Sequence, residues 1–361
     1  MQLAIIEPSK TGAEHASFNM AVTAAVHALL GDKVRLYASA SQFRMLNINI
    51  AWTRIPVISI TRRSFVKKAL VETVALGYSL INARLHGYRN ALLLSIFPPL
   101  LNMLPLLEQL TGVRTHVVLH GELDGLLDLK RQRMTSYGYW VKRFFDRKRY
   151  KKAGCIVLGS GIQRRLAEYY PDTDTRMLSV NHPINRGTAS GIKKDIPFAT
   201  FGIATMERFA DLYERISSLS DETRPQLVHI GMCEEKLFHR FRHVVRFLCE
   251  PGKSLTITEY EEAASRVQCA LSLYASSDYR LRVSAAMLDA LGAGAQLLAL
   301  PCSYAQDLQR DGFNVVLVES VDEVVTYMLN NTRPTQKAVP EEVWRSYSDS
   351  EFARRVIENL A

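Results

Sequence analysis

The sequence predicts a two-domain α/β protein built on parallel sheets. Three observations predict it. Short apolar runs that read as strands alternate with helical stretches along nearly the whole chain. The alternation breaks once, between residues 172 and 197, where Pro183, Gly187, Gly191 and Pro197 sit among short polar residues. The length, 361 residues, suits two ordinary domains.

The elements follow in order. LAIIE (3–7) is a continuous apolar run of the kind a doubly covered parallel strand needs. A helix follows over about 17–30, then the strand VRLYAS (34–39), and a further strand is expected within 55–60. ALLLSIF (91–97) and THVVLHG (115–121) are strands, the second ending in a His-Gly corner. A basic helix is expected over 139–152, then CIVLGS (155–160) as strand and IQRRLAEYY as helix. Strands separated by helices at this spacing argue for βαβ units. After the break the pattern restarts: FATFGIA (198–204), QLVHIG (226–231), CALSLYA (269–275), QLLAL (296–300) and NVVLV (314–318) are strands. EEKLFHRFRHVVRFL, YEEAASRV and RVSAAMLDALGAG (282–294) are helices between them, LTIT is a short strand, and two helices close the chain. The predicted domains are 1–180 and 181–361.

Composition excludes several classes. Apolar residues are 47% and charged residues 22%, which fits a packed core rather than a disordered chain. Five scattered cysteines without a CxxC pair make neither a disulfide framework nor a zinc site. The apolar stretch 90–110 holds Pro98, Pro99, Pro105 and Glu108, so it reads as strand, turn and helix instead of a spanning helix. The first residues show neither a basic region nor a long apolar run, so the expected location is cytoplasmic, peripheral at the inner membrane face at most. The net charge of +9 favours polyanions without choosing among nucleic acid, anionic lipid and phosphate groups.

The ordered set of local patterns resembles the GT-B glycosyltransferases of the retaining, family-4 kind. Gly12-Ala13-Glu14-His15 stands where that family has a glycine-containing loop after its first strand. His120-Gly121 stands at its His-Gly corner, and KKAGCIVLGSGIQRRLAEYYP (151–171) matches its helix–strand–helix segment. FGIATMERF supplies Gly202 and Arg208, LVHIG supplies Gly231, and SLYASSDYRLRVSAAMLDALGAG supplies Asp289 and Gly294. One feature departs: of the family's two glutamates, Asp289 can stand for the second, but the first position is Leu281, between Arg280 and Arg282. The resemblance implies two Rossmann-like domains facing across a cleft, an acceptor half before a donor half, and a nucleotide-sugar donor, UDP- or GDP-linked. It implies no resident cofactor.

The candidate residues carry chemistry of their own. Arg280 and Arg282, with Ser284, are expected at a helix start, where free N–H groups and the positive dipole end suit a diphosphate. A cation there opposes the dipole unless an anion joins it; the alternative is a solvated helix start beside Asp278. Asp289, seven residues beyond Arg282, is expected near the ribose, or else is an ordinary exposed acid. Arg208 is a second cation for the departing phosphate, or a surface arginine among Glu207, Asp211 and Arg215. His120 ends an apolar strand, where an imidazole can hold a sugar hydroxyl or act as a base; the alternative is a histidine bonded to backbone. His15 is a similar case, and Gly12 permits close backbone approach to a ligand.

KRFFDRKRYKK (142–152) is basic with interleaved aromatics, suiting an anionic membrane face, a lipid-linked acceptor or simple solvation; no nucleic-acid module accompanies it. No metal site is expected; Asp172-Thr173-Asp174 is the lone DxD and lies near the break. The function expected is sugar transfer from a nucleotide-diphosphate donor to a polysaccharide, glycolipid or other glycan. The alternatives are a polyanion-binding protein and an inactive scaffold of the same fold.

Overall fold

A computed structural model describes residues 1–12, 15–57, 65–127, 133–187, 192–331, 334 and 337–360. Its contacts divide the chain into two compact units. One is Met1–Pro183 with Leu281–Val283 and Ser346–Ala361; the other is Ile184–Arg280 with Ser284–Arg345.

The first unit runs β1 (Leu3–Ile6), α1 (Ala16–Leu30), β2 (Val34–Ala38), α2 (Ala40–Leu46), β3 (Trp52–Arg54), α3 (Phe65–Leu85) and β4 (Asn90–Leu93). It continues through α4 (Pro98–Leu101), α5 (Leu104–Thr111), β5 (Arg114–Leu119), α6 (Tyr137–Asp146), β6 (Gly154–Val157), α7 (Ser160–Tyr169) and β7 (Leu178–Ser179). Among the described residues the strands form one parallel sheet in the order β3-β2-β1-β4-β5-β6-β7. β1 is buried at every position, LAII, because helices cover both faces of the sheet. Its side chains divide by the strand's period of two. Ala4 and Ile6 join a core with Leu76 and Leu80 of α3 and Val141 and Phe144 of α6. Leu3 and Ile5 join another with Val22 and Val26 of α1.

The second unit runs β8 (Ile196–Phe201), α8 (Met206–Ser217), β9 (Leu227–Ile230), α9 (Glu235–Phe241), β10 (Arg246–Phe247), α10 (Ile257–Ser265) and β11 (Val267–Ser272). Then come α11 (Ala285–Gly292), β12 (Gln296–Ala299), α12 (Ser303–Arg310), β13 (Val315–Leu317), α13 (Val321–Asn330) and α14 (Glu341–Ser346). Its strands are parallel in the order β10-β9-β8-β11-β12-β13. A final helix, α15 (Asp349–Leu360), belongs to the first unit and packs on α1, burying Phe352, Ala353 and Val356.

Both sheets reverse their winding between the first strand and a later one: β1 beside β4, and β8 beside β11. Crevices for ligands open at the carboxyl ends of such pairs. The loops after β1, β4, β8 and β11 therefore flank these crevices.

Several local expectations are corrected. β3 precedes the predicted 55–60 strand: Ile55 still donates to the Ala38 carbonyl, but Pro56 has no N–H to continue the ladder. Ile58 to Ile60 lie outside the described residues. The basic helix stops at Asp146, where Lys148 turns left-handed at φ 52°. The long helix expected after residue 234 stops at Phe241, and Arg246–Phe247 return to the sheet as β10. In LTIT, Thr256 caps α10 instead of entering a strand; its hydroxyl accepts from the Glu259 N–H while the Glu259 carboxylate accepts from Thr256.

Candidate functional site

In the first domain the loop after β1 is tied down from beneath. Glu7, 1% exposed, accepts from the backbone N–H groups of Ser9 and Lys10, from the Asn19 amide and from the Ser95 hydroxyl. Ser95 follows β4, so that last bond bridges the reversal between β1 and β4. Ser9 donates in turn to Glu72 of α3 at 2.5 Å, and Lys68 pairs with Glu72 at 3.3 Å. Burial raises the pKa of both carboxyls.

Above this base stand three histidines. His120 is 6% exposed, and its Nε2–H donates to the Leu94 carbonyl at 3.0 Å. Its ring is walled by His15 at 4.7 Å, Phe18 at 4.5 Å and His182 at 6.2 Å between centroids. Burial holds its pKa well below the usual value, so it is neutral. The sequence singled out His120 for catalysis; the structure turns it inward as a bonded, covered ring.

His15 is the exposed member of the pair. It adopts φ 55° at the start of α1, where its carbonyl accepts from Asn19 and a left-handed turn swings the ring over His120. Its outer edge is open, yet the crowding of its inner side, followed by the nearby Lys10 charge, lowers its pKa to about 4. His182 is likewise held near 4 by burial. Gly12, at φ 57°, donates to Ser41 at 3.3 Å and has open space where a Cβ would stand. Ala13 and Glu14 lie outside the described residues. Glu122 accepts from the His120 N–H at 2.7 Å, and burial raises its pKa to about 6.

In the second domain the turn after β8 carries Gly202 at φ 89°. Gly202 donates to the Ile230 carbonyl, and a Cβ on Gly231 would collide with the Gly202 carbonyl, so two strand ends close together. Beneath them a buried chain runs from the Tyr213 hydroxyl to Thr200 at 3.1 Å, from Thr200 to Nδ1 of His229 at 2.9 Å, and from His229 Nε2–H to the Met232 carbonyl at 3.0 Å. Arg208 of α8 lays its guanidinium over Tyr274 at 4.4 Å from the ring centre. Tyr274 follows β11, so this stack bridges the reversal between β8 and β11. A narrow crevice there is lined by Phe201, Phe209, Tyr274, Ala286 and Met287.

The helix after β11 begins three residues later than the sequence suggested. α11 starts at Ala285, and Ser284, 1% exposed, caps it by accepting from the Met287 N–H at 3.4 Å. The Ser284 hydroxyl is thus spent on the helix. Arg282 precedes the helix and belongs to the first unit. Its Nε lies 2.6 Å from Asp124, and the Leu281 N–H donates to the same carboxylate. The anion expected to offset this arginine is therefore a side chain of the protein. Arg280 remains in the second unit, half-buried in the loop between β11 and α11. Asp289, on the exposed side of α11, accepts from the Tyr260 hydroxyl at 3.1 Å. Enclosure by its neighbours raises its pKa to about 6, against the lowering effect of that bond.

Glu7, Lys10, His182, Tyr260 and Tyr274 were not anticipated. Glu7 had a signal, an acid closing a fully apolar run; the others had none, because long-range packing assembles them. The basic run 142–152 is partly neutralised: Lys142 pairs with Asp146, Lys148 and Lys151 with Asp172, and Arg149 donates to the Asn102 carbonyl. Of a second basic stretch in the sequence, residues 62–68, Arg62 and Arg63 lie outside the described residues. Among the described residues no three His, Cys, Asp or Glu gather as a metal site, and no helix is long and apolar enough to cross a membrane.

Two Rossmann-like domains in one chain, each with a parallel sheet and a reversal point, are the GT-B fold. No family model and no curated protein matches the sequence. Solved structures match along its whole length. HepE from Anabaena, in complex with UDP, aligns at a TM-score of 0.63 and 9% identity over 100% of this chain and 99% of its own. The lipopolysaccharide outer core galactosyltransferase WaaB, in its apo form, gives 0.62 and 13% over 99% and 100%. The UDP-GlcNAc 2-epimerase from Methanocaldococcus jannaschii gives 0.60 and 10% over 99% and 100%.

Proposed function

We propose that this chain is a glycosyltransferase of the GT-B type, nearest in pattern to the retaining family-4 kind. It takes a hexose from a UDP- or GDP-linked donor and passes it to a glycan or lipid-linked acceptor in polysaccharide or glycolipid synthesis. Neighbours in fold support a nucleotide-sugar donor: HepE is solved with UDP and with UDP-glucose, and WaaB is a galactosyltransferase.

The observation that carries the reading is Arg208 stacked on Tyr274 at the reversal of the second sheet, beside Gly202 and the first turn of α11. Transfer breaks the bond from the anomeric carbon to the diphosphate and forms one to an acceptor oxygen, whose proton is released. Charge gathers on the departing diphosphate. A guanidinium already oriented by an aromatic face, near free helix N–H groups, stabilises that charge without a metal. Asp289 and Tyr260 form the polar pair for the ribose, and Arg280 is a further cation for the phosphates. In the first domain His15, held neutral, both donates and accepts toward a sugar hydroxyl, with Gly12 leaving the backbone open beside it.

Thermal-shift titration with UDP, GDP, ADP and CMP tests the donor class, since a ligand of the folded state raises its stability. UDP or GDP should stabilise, and the matching sugar nucleotide should be consumed only with acceptor present. Conversion without acceptor would point to an epimerase. Salt-sensitive DNA binding with no nucleotide effect would support a polyanion-binding protein instead.

A further inference from the structure

α3 is apolar on both sides. Its inner face, Ala75, Leu76, Leu80 and Ala83, is buried in the first domain's core. Its outer face carries Val66, Leu70, Val74, Tyr78, Ile81 and Leu85, between 46% and 79% exposed. These positions recur every three or four residues, so they form one stripe along a 21-residue helix. At about 1.5 Å per residue the stripe is roughly 31 Å long. α5 packs beside α3 and adds Leu106 and Leu110, 52% and 72% exposed. An apolar surface of this extent on a folded chain marks something that covers it.

Charge selects the occupant. Lys67 is exposed at one end of the stripe, and Arg84, Arg89 and Arg114 stand at the other. The acids of the two helices are turned inward: Glu72 takes Ser9 and Lys68, and Glu108 takes both the N–H and the hydroxyl of Thr115. A second copy laid along the stripe would set cation against cation in either direction, so self-pairing is disfavoured. Of the anchors that dominate protein interfaces, Trp, Tyr and Arg, the middle of the stripe holds Tyr78 alone, and tyrosine also suits the headgroup level of a bilayer. A helix fixed flat on a domain, apolar outward and basic at its ends, suits the boundary of an anionic bilayer.

We propose that the α3–α5 face docks this protein on an anionic lipid bilayer, the stripe entering the acyl boundary and the terminal cations meeting lipid phosphates. This docking does not depend on the sugar-transfer reading. The test is co-sedimentation of the full chain with phosphatidylcholine vesicles, with and without phosphatidylglycerol, at low and high salt. The parent should partition to the anionic vesicles and weaken with salt. Leu70→Ser/Val74→Ser/Ile81→Ser should lower that partition by at least about tenfold with an unchanged melting temperature, since all three side chains are exposed. Lys67→Glu/Arg89→Glu should lower it about as much with the stripe intact. No binding to either vesicle, equal binding to both, or a parent dimer that the triple variant renders monomeric would each overturn the proposal.

Discussion

The His15 ring stands edge-on to His120, their centroids 4.7 Å apart, and covers it from solvent. The two residues are separated by more than a hundred positions, yet one presents what the other supports. His120 is bonded to the Leu94 carbonyl, and His15 is the imidazole of the pair that solvent reaches.

Mutation should separate the two roles. His15→Ala is expected to lower turnover about 10²-fold, the range for a positioned polar group at the reacting centre, with nucleotide affinity unchanged. His120→Ala should instead destabilise by about 1–3 kcal/mol, because the Leu94 carbonyl loses its donor in a buried site. Steady-state kinetics alongside thermal melts distinguish them. An inactive His120→Ala protein of parental stability would reverse the assignment.

Arg208→Ala should weaken UDP or GDP binding by about one to two decades, the loss of a charge-assisted bond of about 1.5–3 kcal/mol. Uridine or guanosine, lacking phosphate, should bind as before. Tyr274→Leu removes only the stack, worth about 0.5–1 kcal/mol, and should cost a few-fold. Calorimetric titration reads all three.

Arg282→Ala should leave nucleotide affinity within about twofold of the parent. Its partner is Asp124, and the pair is partly exposed, so the expected stability loss is at most about 1 kcal/mol. A drop of a decade or more in UDP affinity would restore Arg282 to the donor site.

Asp289 gives a pH test with a definite sign. Its folded pKa, about 6, lies above the ordinary 3.8, so the folded state binds more protons between these values. Ionising it costs stability increasingly as pH rises through that window, and the cost is complete above it. Asp289→Asn should melt like the parent near the bottom of the window and higher than the parent above its top. The same substitution should weaken nucleoside binding at neutral pH while leaving pyrophosphate binding unchanged. Parallel melting curves at all pH values would contradict the shift.

Phe352→Ala should remove about 3–5 kcal/mol from the first domain, as a fully buried aromatic leaves a void against α1. Denaturant unfolding followed in the first domain measures it; a loss under about 1 kcal/mol would mean α15 is a dispensable appendage.

What could be read from the sequence was what burial writes locally. LAII and CAL, covered on both faces, are unbroken apolar runs, so β1 and β11 were legible. β3 and β10 were not: WTR and RF are short, partly exposed edge strands whose pairing is decided by neighbours far along the chain. Within the site, Gly202, Arg208 and Asp289 stood out through the resemblance of their segments to the GT-B glycosyltransferases. Tyr274 and Tyr260 did not, because their meaning comes from the groups packed on them. Arg282 was expected at a helix start that lies three residues further on, and the anion beside it is Asp124, over a hundred and fifty residues away.

The seating of α15 also sets an order on how the protein comes into being. The first sheet is made before the second, but the surface that Phe352, Ala353 and Val356 cover stays bare until α15 has been made. Through the whole synthesis of the second domain the nascent first domain exposes that apolar strip and is open to chaperones. A chain cut just before α15 would keep both sheets and leave that strip of the first domain bare.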